Sequence, residues 1–415
     1  MLCSLVCTQA FVRVQDGRFS RDGKPYYFIG TNFWYGPILG SEGEGGDRGR
    51  LCRELDSLCA IGINNLRILV GADKGSVNAN SVAPYLQNDD GTLNDDLLAG
   101  LDYLMSEMQK RNMLAVLYLT NSWDWSGGFG SYLRRVGKND SPASSGEGYN
   151  DYVRYAAEFS VNKKAQALYL SFIEKIITRT NRYTGKKYVE DPSIMSWQIC
   201  NEPRPFGKTD AIKKGFTLWI KETAAKIKAL DPNHLVSLGT EGLYGCESDE
   251  ELCTHLHLDA NVDYLTVHIW PCNWQWANRD RLYEDLPHTY VKTKWYIDLH
   301  NRMARKIRKP FVIEEFGYPR DSYSFSVSAS TDCRNAFYQY IMNFVIDSSK
   351  SKGMLAGCNF WGWGGEAVPV HKEWEKGDPF MCDPPHEPQG WYSVYQSDTS
   401  TVRMVEQNIR RLKSK

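Results

Sequence analysis

The sequence predicts an α/β protein folded as one (β/α)8 TIM barrel, on three observations. Eight short apolar runs recur along the 415 residues, segments of helical period separate them, and polar or aromatic residues cluster where the runs end. Strands alternating with helices imply a parallel sheet. Eight such units close as a barrel whose functional groups sit at the carboxyl ends of the strands. A doubly wound open sheet would instead show a phosphate-binding glycine loop after strand one. The segment found there, GPILGSEGEGGDRG, carries Glu42, Glu44 and Asp47, which repel phosphate, and it is read as a flexible loop.

The elements follow in order. Residues 1–10 are apolar and short, without a basic start. They are read either as a trimmed signal remnant or as a disordered terminus, which leaves 11–415 as one domain. VRVQDGRFSRDGKPYYFIGTN alternates in polarity and holds two Asp-Gly turn signals, so it predicts a small hairpin leading into a strand. The eight runs are Tyr26–Ile29, Asn64–Val70, Leu114–Leu119, Ile194–Ile199, Leu235–Leu238, Tyr264–Ile269, Phe311–Ile313 and Leu355–Phe360. Between them, Leu97, Leu98, Leu101, Leu104, Met105 and Met108 form one apolar helical face, and Leu168, Phe172, Ile173, Ile176 and Ile177 form another. Asn94 is placed to cap the first of these helices, with Asp95 and Asp96 favourable in its first turn. Segments 121–160 and 362–400 then become elaborated loops after strands three and eight.

Composition narrows the function classes. A chain that is 42% hydrophobic and 24% charged is ordinary for a globular protein. A net charge of −1 gives no bias toward nucleic acid or anionic membrane. No apolar run reaches the length of a spanning helix. The 13 Trp and 24 Tyr fit either core packing or a cleft lined by flat apolar faces with polar edges, which suit sugar rings. Eleven cysteines lack any CxxC, so a zinc ribbon or a thioredoxin-type motif is not indicated. Cys52 and Cys59 share a helical face and read as core, whereas Cys246 and Cys253, in a polar loop, are a candidate disulfide. His255 and His257 alternate on an exposed-looking segment without further ligands, so neither a metal site nor a cofactor is predicted. RMARKIRK, 302–309, reads as a solvated helix face.

The ends of the runs carry the chemistry. Strand two holds Arg67 and strand three ends in TNSWDW. Strand four ends in Asn201-Glu202, and strand five leads to Glu241. Strand six carries His268 and Trp270, strand seven ends in Glu314-Glu315-Phe316-Gly317, and strand eight ends in Trp361 and Trp363. Glu202 and the strand-seven glutamates lie three strands apart on an eight-strand ring, so their carboxylates can meet across the mouth. Paired carboxylates perform acid/base or covalent work on glycosidic bonds. One must stay protonated near neutral pH and the other ionised, which the Arg67 guanidinium would support.

WQICNEPRP and VIEEFG resemble the acid/base and nucleophile motifs of family 5 glycoside hydrolases, from GTNFW to FWGWGGE and so over essentially the whole chain. NSWDWSGGF, SLGTEG and FWGWGGE are similar to the endo-β-1,4-mannanase branch, and the tail DPPHEPQGWYSVY points to a bacterial type. The resemblance implies a (β/α)8 enzyme acting with retention, without cofactor. Glu202 is then the acid/base and Glu315 the nucleophile, since the family's nucleophile directly precedes an aromatic-Gly pair. Adjacent strand residues face opposite sides, so Glu314 is expected to point toward the helices or to cap a network. Asn201 would bind the 2-hydroxyl of the −1 sugar, Arg67 would hold the nucleophile ionised, His268 would contact the floor and the −1 sugar, and Trp361 would stack beneath it. Trp123 and Arg204 resemble aglycone contacts, Glu241 a hydroxyl contact near −1 or +1, and Asn32 a further contact at the end of strand one. One departure stands out: the family's His-x-Tyr is His268-Ile269-Trp270 here. Trp270 either replaces the tyrosine's donor or stacks, since an indole N–H donates but cannot accept.

The reading implied is a secreted, periplasmic or cell-surface monomer that cleaves internal β-1,4-mannosidic bonds of mannan, glucomannan or galactomannan by double displacement. The competing readings are a glucanase or xyloglucanase on the same barrel, a non-catalytic glycan-binding protein, and a metal-dependent barrel hydrolase using His268 and the glutamates.

Overall fold

The computed structural model describes residues 10–414. Three short antiparallel strands open it: β1 (Arg13–Gln15), β2 (Arg18–Arg21) and β3 (Lys24–Pro25). Asp16, Gly17, Asp22 and Gly23 all take positive φ, between 51° and 72°, the backbone that tight two-residue hairpin turns require and Asp-Gly supplies.

The next eight strands form the barrel: β4 (Phe28–Asn32), β5 (Asn65–Leu69), β6 (Leu114–Tyr118), β7 (Ile194–Gln198), β8 (Leu235–Ser237), β9 (Leu265–Ile269), β10 (Phe311–Phe316) and β11 (Leu355–Phe360). Their pairings are parallel, in the order β8-β7-β6-β5-β4-β11-β10-β9, and a parallel bridge from Ser237 to Tyr264 joins the two ends. Every residue of these strands is buried. That is why they read as continuous apolar runs: in a barrel one face meets helices and the other meets the interior. Two short strands, β12 (Trp363–Gly365) and β13 (Val394–Tyr395), pair above the mouth.

Eleven helices are described: α1 (Gly36–Gly40), α2 (Arg48–Ala60), α3 (Asp95–Lys110), α4 (Gly128–Arg135), α5 (Tyr149–Ala157), α6 (Lys163–Ile177), α7 (Asp210–Leu230), α8 (Glu250–Leu258), α9 (Leu286–Ile307), α10 (Asp332–Ser351) and α11 (Thr399–Lys413). The predicted cap on α3 is present, with Asn94 Oδ1 accepting from the N–H groups of Asp96 at 2.9 Å and Leu97 at 3.3 Å.

The bottom of the barrel is closed by the hairpin. Val12 and Phe19 pack into one apolar layer with Phe28, Leu114, Val116, Met195, Leu235, Tyr264, Val312 and Ala356. At the mouth the long loops close in instead. Segment 121–160 contributes α4 and α5, while 362–400 is held by buried polar anchors. Asp383 accepts from the N–H groups of Gly390 at 2.9 Å and Tyr392 at 2.7 Å. Arg334 donates to the carbonyls of Tyr318, Trp391 and Ser393.

Three local expectations are corrected, and a fourth is narrowed to one of its two alternatives. GPILG is not a flexible loop but the buried helix α1. Glycine permits its close approach to α3, where a Cβ on Gly40 would sit 2.3 Å from the Gly100 carbonyl oxygen. His257 is buried in α8, with Nδ1 at 2.8 Å from the Cys253 carbonyl oxygen, rather than exposed. Cys246 and Cys253 are both buried, but as free thiols and not as a disulfide. Strict alternation fails in β10, where Ile313 pairs with Val267 and Glu315 already pairs with His268. Glu314 is the extra residue of this bulge, and of its two expected placements it takes the second: inside the barrel with Glu315, it caps a network with Gln198 and Tyr264 instead of facing the helices.

Candidate active site

Arg67, rising from β5, organises the floor of the mouth. It is fully buried, and each of its nitrogens has an acceptor: Nε donates to Gln198 Oε1 at 2.8 Å, Nη2 to Asn201 Oδ1 at 2.7 Å, and Nη1 to Asn32 Oδ1 at 3.1 Å and to Glu315. Its guanidinium lies 4.5 Å from the centre of the Tyr118 ring. Asn32 is itself fixed through Nδ2, which donates to the Glu314 carbonyl at 2.8 Å. Glu314 sits below, accepting from Gln198 Nε2 at 2.6 Å and from the Tyr264 hydroxyl at 3.2 Å.

Above that floor stand Glu202, His268 and Glu315. Glu202 follows β7 with φ of +49°, an uncommon conformation for a residue with a side chain. Its N–H donates to the Gly239 carbonyl at 2.8 Å, and its carbonyl accepts from the Ser122 hydroxyl at 2.5 Å, so the segments that follow both neighbouring strands hold it there. His268 Nδ1 lies 2.8 Å from Glu202 Oε1 and 3.2 Å from Glu315 Oε2, an imidazole shared by two carboxylates. The other Glu202 oxygen, Oε2, accepts from Trp123 Nε1 at 2.6 Å.

The electrostatics separate the two adjacent glutamates of β10. Burial pushes Glu314 upward, against the nearby Arg67 charge. Burial would raise Glu315 as well, but the charges of His268 and Arg67 outweigh it and hold this carboxyl below its ordinary range. Burial lowers His268, yet Glu315 and Glu202 more than reverse that and carry it up to about 9. Two adjacent strand residues are thus driven in opposite directions, which favours an ionised Glu315.

One oxygen each of Glu202 and Glu315 and a nitrogen of His268 all lie within 4.8 Å of one another, a spacing that could also hold a metal ion. A cation there must compete for Nδ1 with the proton that both carboxylates retain on the imidazole up to about pH 9. The donor set therefore suits proton handling better than metal binding near neutral pH.

The walls enclose a cleft of about 1120 Å³. Of the residues singled out from sequence, Glu202, Glu315, Asn201, Arg204, Glu241, Trp123, Trp270 and Trp361 line it. Arg67, His268 and Asn32 are fully buried beneath it and act through the groups they hold. Arg204 is paired with Glu241 through two hydrogen bonds, at 2.5 and 2.6 Å, and its guanidinium covers the Trp123 ring at 5.3 Å. Trp270 packs edge-on against Trp361, centroids 6.1 Å apart, and lies tilted against Tyr392 at 5.0 Å. Glu315 has Arg67 and His268 as its partners instead.

Sequence reasoning missed Trp125, Tyr149, Trp274, Trp276, His386, Glu387 and Trp391, which complete the walls. The aromatic pair in NWQW and the acid in PPHEP were the available signals, but both lie in loops whose course only the folded chain reveals.

A family model described as GH family 5 beta-mannosidase-like matches residues 9–415. A glycoside hydrolase family 5 mannosidase from Rhizomucor miehei is 34% identical and covers 97% of this chain and 98% of its own, with a TM-score of 0.89. A structure of that mannosidase in complex with mannosyl-fructose is 33% identical over 97% of each chain, with a TM-score of 0.88. A putative mannan endo-1,4-beta-mannosidase 9 from Oryza sativa subsp. japonica is 28% identical over 86% of this chain and 82% of its own. These similar proteins come from a fungus and a plant, which corrects the bacterial type inferred from the tail motif.

Proposed function

The chain belongs to the family 5 β-mannosidase-like glycoside hydrolases, and we propose that it is an endo-acting mannan endo-1,4-β-mannosidase working with retention. Its substrates are mannan, glucomannan, galactomannan and the oligosaccharides derived from them. The observation that carries this reading is the pair of carboxylates sharing His268, with oxygens of Glu202 and Glu315 within 4.8 Å of each other. Retaining enzymes place their carboxyl groups about 5–5.5 Å apart, whereas inverting ones leave room for a water between them.

In this reading Glu315, ionised beside Arg67 and His268, attacks the anomeric carbon while Glu202 gives a proton to the leaving oxygen. Glu202 then takes a proton from the water that releases the sugar. Trp361 stacks beneath the −1 sugar and Asn201 meets its 2-hydroxyl. Arg204, Glu241 and Trp270 contact the sugars on either side of the bond. Arg67 and Asn32 hold the nucleophile in place from below. We place the enzyme outside the cytoplasm, where its polymeric substrate is met, and as a monomer, since residues of one chain line the cleft.

Product analysis tests the reading. Linear mannohexaose and galactomannan should yield mixtures of short manno-oligosaccharides from the first minutes, with carboxymethylcellulose untouched. Release of mannose alone would overturn endo action, and faster cleavage of carboxymethylcellulose would overturn the substrate class.

A further inference from the structure

Trp123 does more than line the cleft. Its indole is enclosed by Tyr149 and Tyr152, stacked at 6.2 and 5.9 Å, by Phe206 edge-on at 5.2 Å, and by the Arg204 guanidinium at 5.3 Å. Arg204 is in turn clamped by Glu241. So held, the indole aims Nε1 at Glu202 Oε2 from 2.6 Å.

We infer that Trp123 is a positioning residue that decides which oxygen of Glu202 carries the catalytic proton. The inference rests on the acid/base role proposed for Glu202. An indole N–H donates and cannot turn round to accept. Oε2 is therefore fixed as an acceptor, and the proton of the acid form sits on Oε1. His268 permits this, because its Nδ1 is divided between Glu202 Oε1 at 2.8 Å and Glu315 Oε2 at 3.2 Å, and it can donate to Glu315 alone when Oε1 is protonated.

A Glu315 oxygen forms a bond to the anomeric carbon, and the bond from that carbon to the leaving oxygen breaks. Its electron pair stays on the leaving oxygen, which takes the proton from Glu202 Oε1. In the second half Oε1 removes a proton from water as the water oxygen displaces Glu315. The Glu241–Arg204–Trp123 chain would thus keep one oxygen of Glu202 directed at the reaction through both halves.

The test separates proton handling from sugar stacking. Trp123→Phe is compared with the parent enzyme on mannotetraose and on 2,4-dinitrophenyl β-mannoside, whose leaving group needs no proton. The expected result on mannotetraose is a kcat about 10²-fold lower with KM nearly unchanged, the scale of lost general acid catalysis. On the aryl mannoside kcat/KM should hold while kcat falls, and added azide should restore kcat with formation of β-mannosyl azide. Replacing Trp123 with 3-benzothienylalanine, which keeps the ring shape and removes only the N–H, should behave the same way even if the phenylalanine variant folds poorly. A raised KM with intact kcat, or the absence of any azide response in both variants, would reduce Trp123 to a stacking surface and overturn the inference. Glu202→Ala is the reference: if azide fails to act on it, the acid/base assignment of Glu202 itself falls.

Discussion

The two ends of this barrel are made from the same eight strands and differ in almost every physical respect. At the bottom, Val12 and Phe19 of the N-terminal segment complete an apolar layer with eight strand or strand-flanking residues. At the mouth, the interior holds Arg67, Glu314, Glu315, His268, Gln198 and Asn32, all buried and tied to one another. Shape and volume determine the first region. In the second, each charge is tolerated because another charge or a hydrogen bond meets it. The contrast shows how one scaffold keeps stability at one end and reactivity at the other.

Three experiments probe the two ends separately. The largest effect is expected at the mouth. Glu315→Gln should lower turnover on mannan by more than about 10⁴-fold, on the scale seen when a nucleophile is removed. Mannotetraose binding, measured by calorimetry, should persist. Residual activity close to that of the parent would remove Glu315 from the mechanism.

The second acts at the bottom. Phe19→Ala should cost about 3–5 kcal/mol of stability in a denaturant titration, because it empties part of a closed apolar layer. kcat/KM on mannotetraose should stay nearly constant below the transition. A loss of activity without a loss of stability would mean that the two ends are coupled.

The third and smallest is a pH effect centred on His268 at the mouth. His268 is raised to about 9 when folded, chiefly by Glu315 and Glu202 acting against burial. Its contribution to stability is thus complete below the ordinary imidazole value of about 6.5 and is lost as pH rises toward 9. Glu315, lowered in the fold, contributes above its ordinary carboxyl range and loses that contribution as pH falls through its depressed value. Melting temperature should therefore decline between about pH 6.5 and 9. His268→Gln should flatten that decline, and an identical slope in the variant would place its origin elsewhere.

Sequence made the frame legible because burial on both faces turns barrel strands into uninterrupted apolar runs, and all eight runs are strands. It made Glu202, Glu315, Arg67 and His268 legible because charged residues interrupt those runs where the strands end. The position of Glu314 was hidden. A bulge in β10 leaves no local signature, so alternation alone could not choose between a helix-facing Glu314 and one that caps a network. Helix α1 was hidden for the opposite reason: its glycines signal a loop by composition but serve close packing against α3. The cleft walls from Trp274 to Trp391 come from loops whose paths depend on distant anchors such as Asp383 and Arg334. No spacing rule in the chain encodes those anchors.

If two carboxylates at the mouth act by covalent double displacement, Glu315 becomes glycosylated in the first half of the reaction. Incubation with 2-deoxy-2-fluoro-β-mannosyl fluoride, followed by proteolysis and mass spectrometry, detects that covalent intermediate. One fluoromannosyl group should be found, attached at Glu315, with loss of activity in proportion to labelling. Labelling at Glu314 or Glu202, or turnover of the reagent to an α-configured product without any label, would contradict this mechanism.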